Sequence, residues 1–441
     1  MNILAQRWQR YWFRPVSVRR LAALRFVLLT PVILDLVFDP NGIRAFGERT
    51  SEAFWNPNEL VIVRLLDLPR TPTELWMPLW AVLIVCAVLA FVGLYTRIAL
   101  WILAFGYAWW YIAFFSHGSV GHGRLILVVA LFALAIAPSG RAYSLDALIA
   151  RARRARTGEP LPAPQDESDP LAGWAIRFVG ITVVLTYLSA AWTKILTGGL
   201  DWPFAGALDA ALIEQGTRLG KYFADYPNLV HLLAVGALVL EATAWMLLLG
   251  GRARDLWAVS AVMFHLGSLV LLSVNFMDYP FAYAAFYPLE VATAWLGLRA
   301  RNWSADRHSK VELEYDGMCG LCVRTVTFLG GLDWLGRLRL VDGTSADGTR
   351  LQVFTARDAD DRHDGFFAYR RIARALPALW PVLPLLYLPG LSHLGQKVYE
   401  HVAANRGSSC SITACAIPEG ASAARPSFAP ASSEPTAGSG S

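Results

Sequence analysis

Charge is scarce in this chain. Of 441 residues only 17% are Asp, Glu, Lys or Arg, against 55% hydrophobic, and the mean hydropathy is +0.40. An ordinary soluble domain of this length is excluded. Lysine is rarer still, with four residues against 35 arginines. A lysine beside an apolar segment is therefore not a generic cation here. Cysteine occurs five times, and one pair stands as C-x-x-C. Internal repeats are absent. So is an A-x-A-like cleavage site near the start: residues 1–20 are polar and aromatic with five arginines, and predict a retained segment. The net charge of +5 and pI near 9.0 do not point to nucleic acid, because basic residues of multispan proteins collect in cytoplasmic loops.

Apolar runs of about 20 residues recur as far as Leu298 and then stop, while residues 301–416 have ordinary charge density. The expected spans are 21–38, 77–94, 98–115, 119–137, 171–188, 229–249, 256–275 and 281–298, eight in all, the fourth being the weakest. Alternate loops, counted from the N-terminus, hold more than twice the Lys and Arg of the others, which predicts cytoplasmic termini. A long first outer loop, 39–76, is expected to fold over the outer face. The basic stretch SLDALIARARRAR predicts a helix lying on an anionic lipid surface, followed by a Pro-rich acidic linker.

Beyond the spans, VELEY alternates with period two up to the turn signal Asp316-Gly317, and CVRTVTFLGGLDWL then carries apolar residues at helical spacing. This order places Cys319 at a helix N-terminus, where unpaired N–H groups and the helix dipole are expected to favour its thiolate. Cys319 is then the attacking sulfur, and Cys322, one turn further in, resolves the mixed disulfide. The competing reading is a zinc site completed by Cys410 and Cys415, but their spacing and the gap of nearly ninety residues fit a zinc ribbon poorly, and no metal is expected. Cys86 reads as an apolar packing residue. YDGMCGLC resembles the D-G-x-C-x-x-C signature of the DCC-type thiol-disulfide oxidoreductases, and KVYEHVAANR is similar to that family's closing helix. The resemblance covers residues 309–416. It implies a thioredoxin-like fold and redox-active Cys319 and Cys322, with Asp316 in the motif. Thioredoxins carry a cis-proline opposite the cysteines, whereas no proline lies between Val311 and Leu376 here.

In the membrane part, Glu241, His265 and Glu290 fall about halfway along the last three spans, where ionisable groups are costly and suggest an internal polar cavity. Arg25, Asp35 and Arg177 lie nearer span ends, where long arginines snorkel. The stretch YLSAAWTKILTGGLDW puts Tyr187 and Lys194 on one helix face. Lys194 reads either as a desolvated general base or as a headgroup anchor. His117 and His122, in SHGSVGHGRL, read as hydrogen-bonding loop histidines or as site residues. These segments resemble the vitamin-K-dependent γ-carboxylase and its bacterial relatives, the HTTM family. GHGRLILVVALFALAIAPSGRAYSLDAL is similar to that family's histidine loop, span and S-x-D segment, carrying Ser144 and Asp146. YLSAAWTKI followed by DW is similar to its lysine segment, and MFHLGSL gives His265 a weaker match. The resemblance, over about residues 10–300, implies Lys194 as the base that works with a reduced quinone, and His122 as a further site residue. The carboxylase's long lumenal domain is absent.

The expected architecture is an α-helical polytopic membrane bundle over 1–300, a small C-terminal α/β thioredoxin-like domain over 309–416, and a structureless tail over 417–441. The expected protein is a multi-pass redox protein of the inner membrane. Its dithiol is cytoplasmic and its membrane site is quinone- or lipid-linked. Lys194 and His122 act there, and Tyr187, Glu241 and His265 line it. No tightly bound cofactor is expected beyond a membrane quinone of menaquinone, ubiquinone or vitamin K type. The expected partners are membrane lipids and an unidentified thiol protein, with no nucleic acid. Two other readings stay open: a γ-carboxylase-like or lipid-modifying enzyme independent of the thiols, and a non-catalytic lipid-binding or transport bundle with a redox-sensor domain.

Overall fold

The computed structural model describes residues 3–38, 42–43, 61–116, 123–157, 167–343, 351, 353–358 and 361–405. They form two compact units that part in the chain between Trp303 and Ser304, with residues 152–157 grouping with the second.

Among the described residues of the first unit, five helices are long and apolar enough to cross a membrane: Val18–Phe38, Thr73–Val92, Thr96–Phe115, Pro170–Phe204 and Gly251–Leu272. Arg218–Ala224 with Pro227–Ala242, bent by 107°, makes a sixth if the pair is one span. The sequence suggested about eight, and prolines and short helices account for the difference. Among the described residues the fourth expected span holds only the 12-residue helix Leu125–Ile136. The sixth begins at Pro227 and gives way to a 3-10 turn over Ala244–Leu248. In the eighth, Pro288 forces Tyr287 into extended backbone, so the chain runs as short turns over Asp278–Ala282 and Tyr283–Phe286 before the helix Leu289–Ala305.

Local chemistry sets the helix ends. Asp169 caps the longest helix, Pro170–Gly198, by accepting from Leu171 N at 2.8 Å, and Pro170 fills the first helical position. Asp146 accepts from Tyr95 N, Thr96 N and Thr96 Oγ1 at 2.9, 2.8 and 2.7 Å, which caps the Thr96–Phe115 helix from a neighbouring segment. Ser144 caps its own helix, Leu145–Arg156, through Ala147 N at 3.0 Å. The Ser144 and Asp146 of the S-x-D segment are thus helix caps. Gly93 ends Trp76–Val92 with φ of 74°, and a Cβ there would lie 2.2 Å from Ser144 Cβ.

Arg25 departs from the snorkelling expectation. Arg25 is fully buried, with its guanidinium on the Ser139 carbonyl and, at 2.7 Å, on that of Tyr143. Arg177 donates to the Trp12 and Arg14 carbonyls at 3.0 and 2.9 Å. Carbonyls of adjoining chain segments accept hydrogen bonds from both cations. Asp35 is likewise buried, accepting from Tyr107 Oη at 2.6 Å and pairing with Arg124 at 2.7 Å.

In the second unit a four-stranded sheet runs in the order 338–342, 311–315, 355–357, 362–364. The first pair is parallel and the other two are antiparallel. The helix Gly320–Leu332 forms the crossover of the parallel pair. Val311 and Leu313, alternate residues of VELEY, join Val326, Leu329, Phe354, Ala356, Ile372 and Leu376 in one core. The closing helix Leu391–Ala404 is tied on by Tyr399 Oη, which accepts from Phe354 N at 2.8 Å, and by Gln396, which accepts from Phe366 N at 3.1 Å. No cis peptide bond occurs among the described residues.

Candidate functional site

The dithiol sits where the 311–315 strand turns into the helix Gly320–Leu332. Asp316 makes the turn: its Oδ1 accepts from Met318 N at 2.9 Å and its backbone oxygen from Cys319 N at 3.2 Å. Gly317 lets a second carboxylate approach. Asp342 Oδ1 accepts from Gly317 N at 3.1 Å, and a Cβ at 317 would stand 2.3 Å from Asp342 Oδ2. Cys319 is the N-cap, with extended backbone, and its carbonyl accepts the first helical bond from Val323 N at 2.9 Å. Cys319 and Cys322 are unbridged and both buried, with 1% and 6% exposed.

The placement agrees with the sequence reading, but the electrostatics reverse it. The Cys319 thiol is raised well above the usual thiol range, first by its hydrogen bond with Cys322 and then by burial. The backbone N–H groups of Cys322 and Leu321 pull the other way and are outweighed. A neighbouring thiol that competes for the same charge overrides the helix terminus in the reduced pair. Asp316 acts through the backbone of this turn, a positioning role.

The membrane site draws on four segments distant in sequence. Lys194 Nζ donates to both Glu241 oxygens at 2.8 Å, and Nζ stands 5.2 Å from the centre of the Trp202 ring. The Glu241 side chain is buried and that of Lys194 partly so. Lys194 is therefore a paired cation, neither a free amine nor a simple headgroup anchor. Seven residues back on the same helix, Tyr187 Oη contacts His265 Nε2 and Tyr283 Oη in short hydrogen bonds. Tyr279 stacks on the imidazole with ring centres 5.9 Å apart, and Trp257 meets Tyr187 edge-on at 4.9 Å. His265 Nδ1 is buried and has no hydrogen-bond partner among the described residues.

Glu290, expected beside Glu241 and His265, is elsewhere. It opens the helix Leu289–Ala305 and lies 4.0 Å from Arg20. The break at Pro288 separates it from the cluster. His117, His122, Cys410 and Cys415 lie outside the described residues, as do 44–60 of the first outer loop and the whole of 417–441. Sequence reasoning missed Tyr283 and Tyr279, which sit in a stretch rich in tyrosine, NFMDYPFAYAAFYP, that runs from the short connection before the expected span 281–298 into that span. It also missed the pairing of Asp35 with Arg124, although opposite charges in two apolar segments were a signal for it.

A family model described as the HTTM domain matches residues 13–295, and a second, described as DCC1-like thiol-disulfide oxidoreductase, matches residues 313–411. The chain belongs to the HTTM family. It is a helical membrane protein in which an HTTM domain is followed by a DCC1-like domain. No curated protein and no solved structure matches it. The HTTM match contains Tyr187, Lys194, Glu241, His265 and Tyr283, and the DCC1-like match contains Asp316, Cys319 and Cys322. Chemically, the DCC1-like turn offers a dithiol that can close to a disulfide. The HTTM cluster offers a hydrogen-bonded hydroxyl–imidazole chain beside a carboxylate–ammonium pair.

Proposed function

We propose that the protein is a membrane-bound thiol-disulfide oxidoreductase whose HTTM domain holds a quinone at the Tyr187–His265 cluster. The observation that carries the first part is Cys319 at the helix start with Cys322 one turn behind it. Cys319, once deprotonated, attacks a sulfur of a partner disulfide and expels the other partner sulfur as a thiolate. Cys322 then attacks Cys319 of the mixed disulfide and releases the second partner thiolate. The Cys319–Cys322 bond forms, two electrons pass to the partner, and the protons of both thiols leave. The same steps in reverse reload the dithiol.

For the quinone, the fit rests on His265. Its Nδ1 is a buried polar atom without a partner among the described residues, on a ring whose Nε2 meets the Tyr187 hydroxyl and which lies against the ring of Tyr279. A carbonyl oxygen within an apolar aromatic surround is the partner such a donor set takes. When bound, a quinone supplies a redox couple that carries electrons and protons together. His265 would hold its carbonyl, and the tyrosines would fix the imidazole. The Lys194–Glu241 pair would supply the proton acceptor of this site. We further assign the dithiol to the cytoplasmic side of the inner membrane, on the distribution of Lys and Arg between loops.

Reconstituting the full chain with menaquinone or ubiquinone and following quinone reduction spectrally tests this reading. Wild type should reduce quinone in the presence of a dithiol donor. Cys319→Ser should not, and equal rates in the two proteins sink the coupling. Loss of rate in Lys194→Met together with full rate in Cys319→Ser would instead mark a membrane chemistry that runs without the thiols.

A further inference from the structure

We propose that the cavity between the N-terminal helix and the first turns of the Pro170–Gly198 helix binds a membrane lipid through an anionic phosphate headgroup. The helix Ile3–Trp12 has no buried residue, and its Ile3, Leu4 and Trp8 are 66%, 70% and 65% exposed. After it the chain reverses onto the Pro170–Gly198 helix. Arg177 Nη1 pins this reversal by donating to the Trp12 and Arg14 carbonyls, and Gly173 makes room for it, since a Cβ there would lie 2.1 Å from Arg14 O.

The result is a cavity of about 810 Å³ lined by Arg10, Arg14 and Arg177, with Gln9, Tyr11 and Phe13 beside them. Three arginines line it and no acidic residue does. Arg177 stands 5.9 Å from the Tyr11 ring centre, and its Nε and Nη2 make no hydrogen bond among the described residues. Planar, weakly hydrated guanidinium groups of this kind suit phosphate oxygens.

Depth in the membrane selects a lipid over a dissolved anion. A helix of 29 residues is about 44 Å long, so it outreaches a hydrocarbon core of about 30 Å by roughly 7 Å at each end. Arg177 is seven residues past Pro170, about 10 Å along the helix, so its Cα lies about 3 Å inside the hydrocarbon edge, from where a long guanidinium reaches out to the lipid phosphates. The uncovered Ile3, Leu4 and Trp8 of the adjoining amphipathic helix are the apolar groups that such a helix buries among acyl chains. The site is distinct from the Tyr187–His265 cluster and does not depend on the quinone reading.

The test mixes purified full-length protein in detergent with dioleoylphosphatidylglycerol or dioleoylphosphatidylcholine and counts retained lipid by native mass spectrometry. Phosphatidylglycerol should be retained in preference to phosphatidylcholine. Arg10→Gln combined with Arg14→Gln should weaken its retention about twenty-fivefold, at about fivefold for each arginine. Folding uses only the backbone carbonyl of Arg14 and should persist; if the double variant does not fold, Arg10→Gln alone should show the fivefold loss, about that expected of one charge. Equal retention of the two lipids by wild type overturns the proposal. So does undiminished retention by the folded variants. Displacement of the lipid by inorganic phosphate alone would make this a site for a soluble anion and overturn it as well.

Discussion

The dithiol turn and the membrane cluster are built in opposite ways. Residues 316–322, one short continuous stretch, supply both cysteines and the aspartate that positions them. The membrane cluster takes Tyr187 and Lys194 from one helix, Glu241 from a second, His265 from a third and Tyr283 from a broken turn. A local motif carries its geometry with it wherever a strand meets a helix. A dispersed cluster exists only after the helices have packed, so each member depends on the placement of the others.

The sharpest contrast lies in single substitutions at the two sites. Cys319→Ser should abolish exchange with disulfide substrates while leaving the thermal midpoint almost unmoved, and Cys322→Ala should accumulate mixed disulfides visible on non-reducing gels. A large loss of stability in either variant would break the comparison, because the turn would then not be self-contained.

Next in size is thiol reactivity. The Cys322 hydrogen bond and burial keep the proton on Cys319 through neutral pH. Its alkylation by iodoacetamide should therefore be at least about tenfold slower than that of free cysteine at pH 7, and should climb with rising pH, about tenfold for each unit. The sign follows from the raised acidity constant: the reactive thiolate is the minority form at neutral pH and grows as pH rises. Cys322→Ala removes the leading cause and should speed alkylation at neutral pH. A rate that is flat above pH 7 in wild type would restore the helix-terminus account.

For the dispersed cluster the readout is stability. Glu241→Ala leaves the Lys194 ammonium without its carboxylate and should cost about 3 kcal/mol, measured by denaturation in detergent, whereas Lys194→Met combined with Glu241→Leu should cost clearly less. Equal losses would mean that the pair is not coupled. The smallest effect is expected for the hydroxyls. Tyr187→Phe removes two hydrogen bonds and should cost about 2 kcal/mol, and Tyr283→Phe removes one and should cost about 1 kcal/mol.

How much was legible in the sequence follows the same division. The strand, turn, C-x-x-C and helix of the second unit could be read residue by residue, because VELEY and the helix after it obey local periodicities. Asp316 was visible as part of a motif, though its job in the turn needed the coordinates. In the membrane unit, hydropathy located apolar segments but not their interruptions. Apolarity is the same in a straight span and in one broken at Pro227 or Pro288. Lys194, Tyr187, Glu241 and His265 stood out singly through the cost of placing polar groups in an apolar setting. Their pairing did not, because nothing local records that residue 194 meets residue 241. The acidity of Cys319 was misjudged for a related reason: the helix terminus is local and easily counted, while the competing thiol acts through a side-chain geometry.

The Tyr187 hydroxyl, held between His265 and Tyr283, has a consequence for direction. It owns a single hydrogen, so it gives to one neighbour and takes from the other. With the hydrogen on the side of His265 Nε2, the imidazole carries its own hydrogen on Nδ1 and presents a donor; with the order reversed, Nδ1 presents a lone pair. The order of the hydroxyl chain thus fixes whether the buried edge of the ring gives or takes, and reversing it requires one proton to leave Nδ1 and another to reach Nε2 while every heavy atom stays where it is.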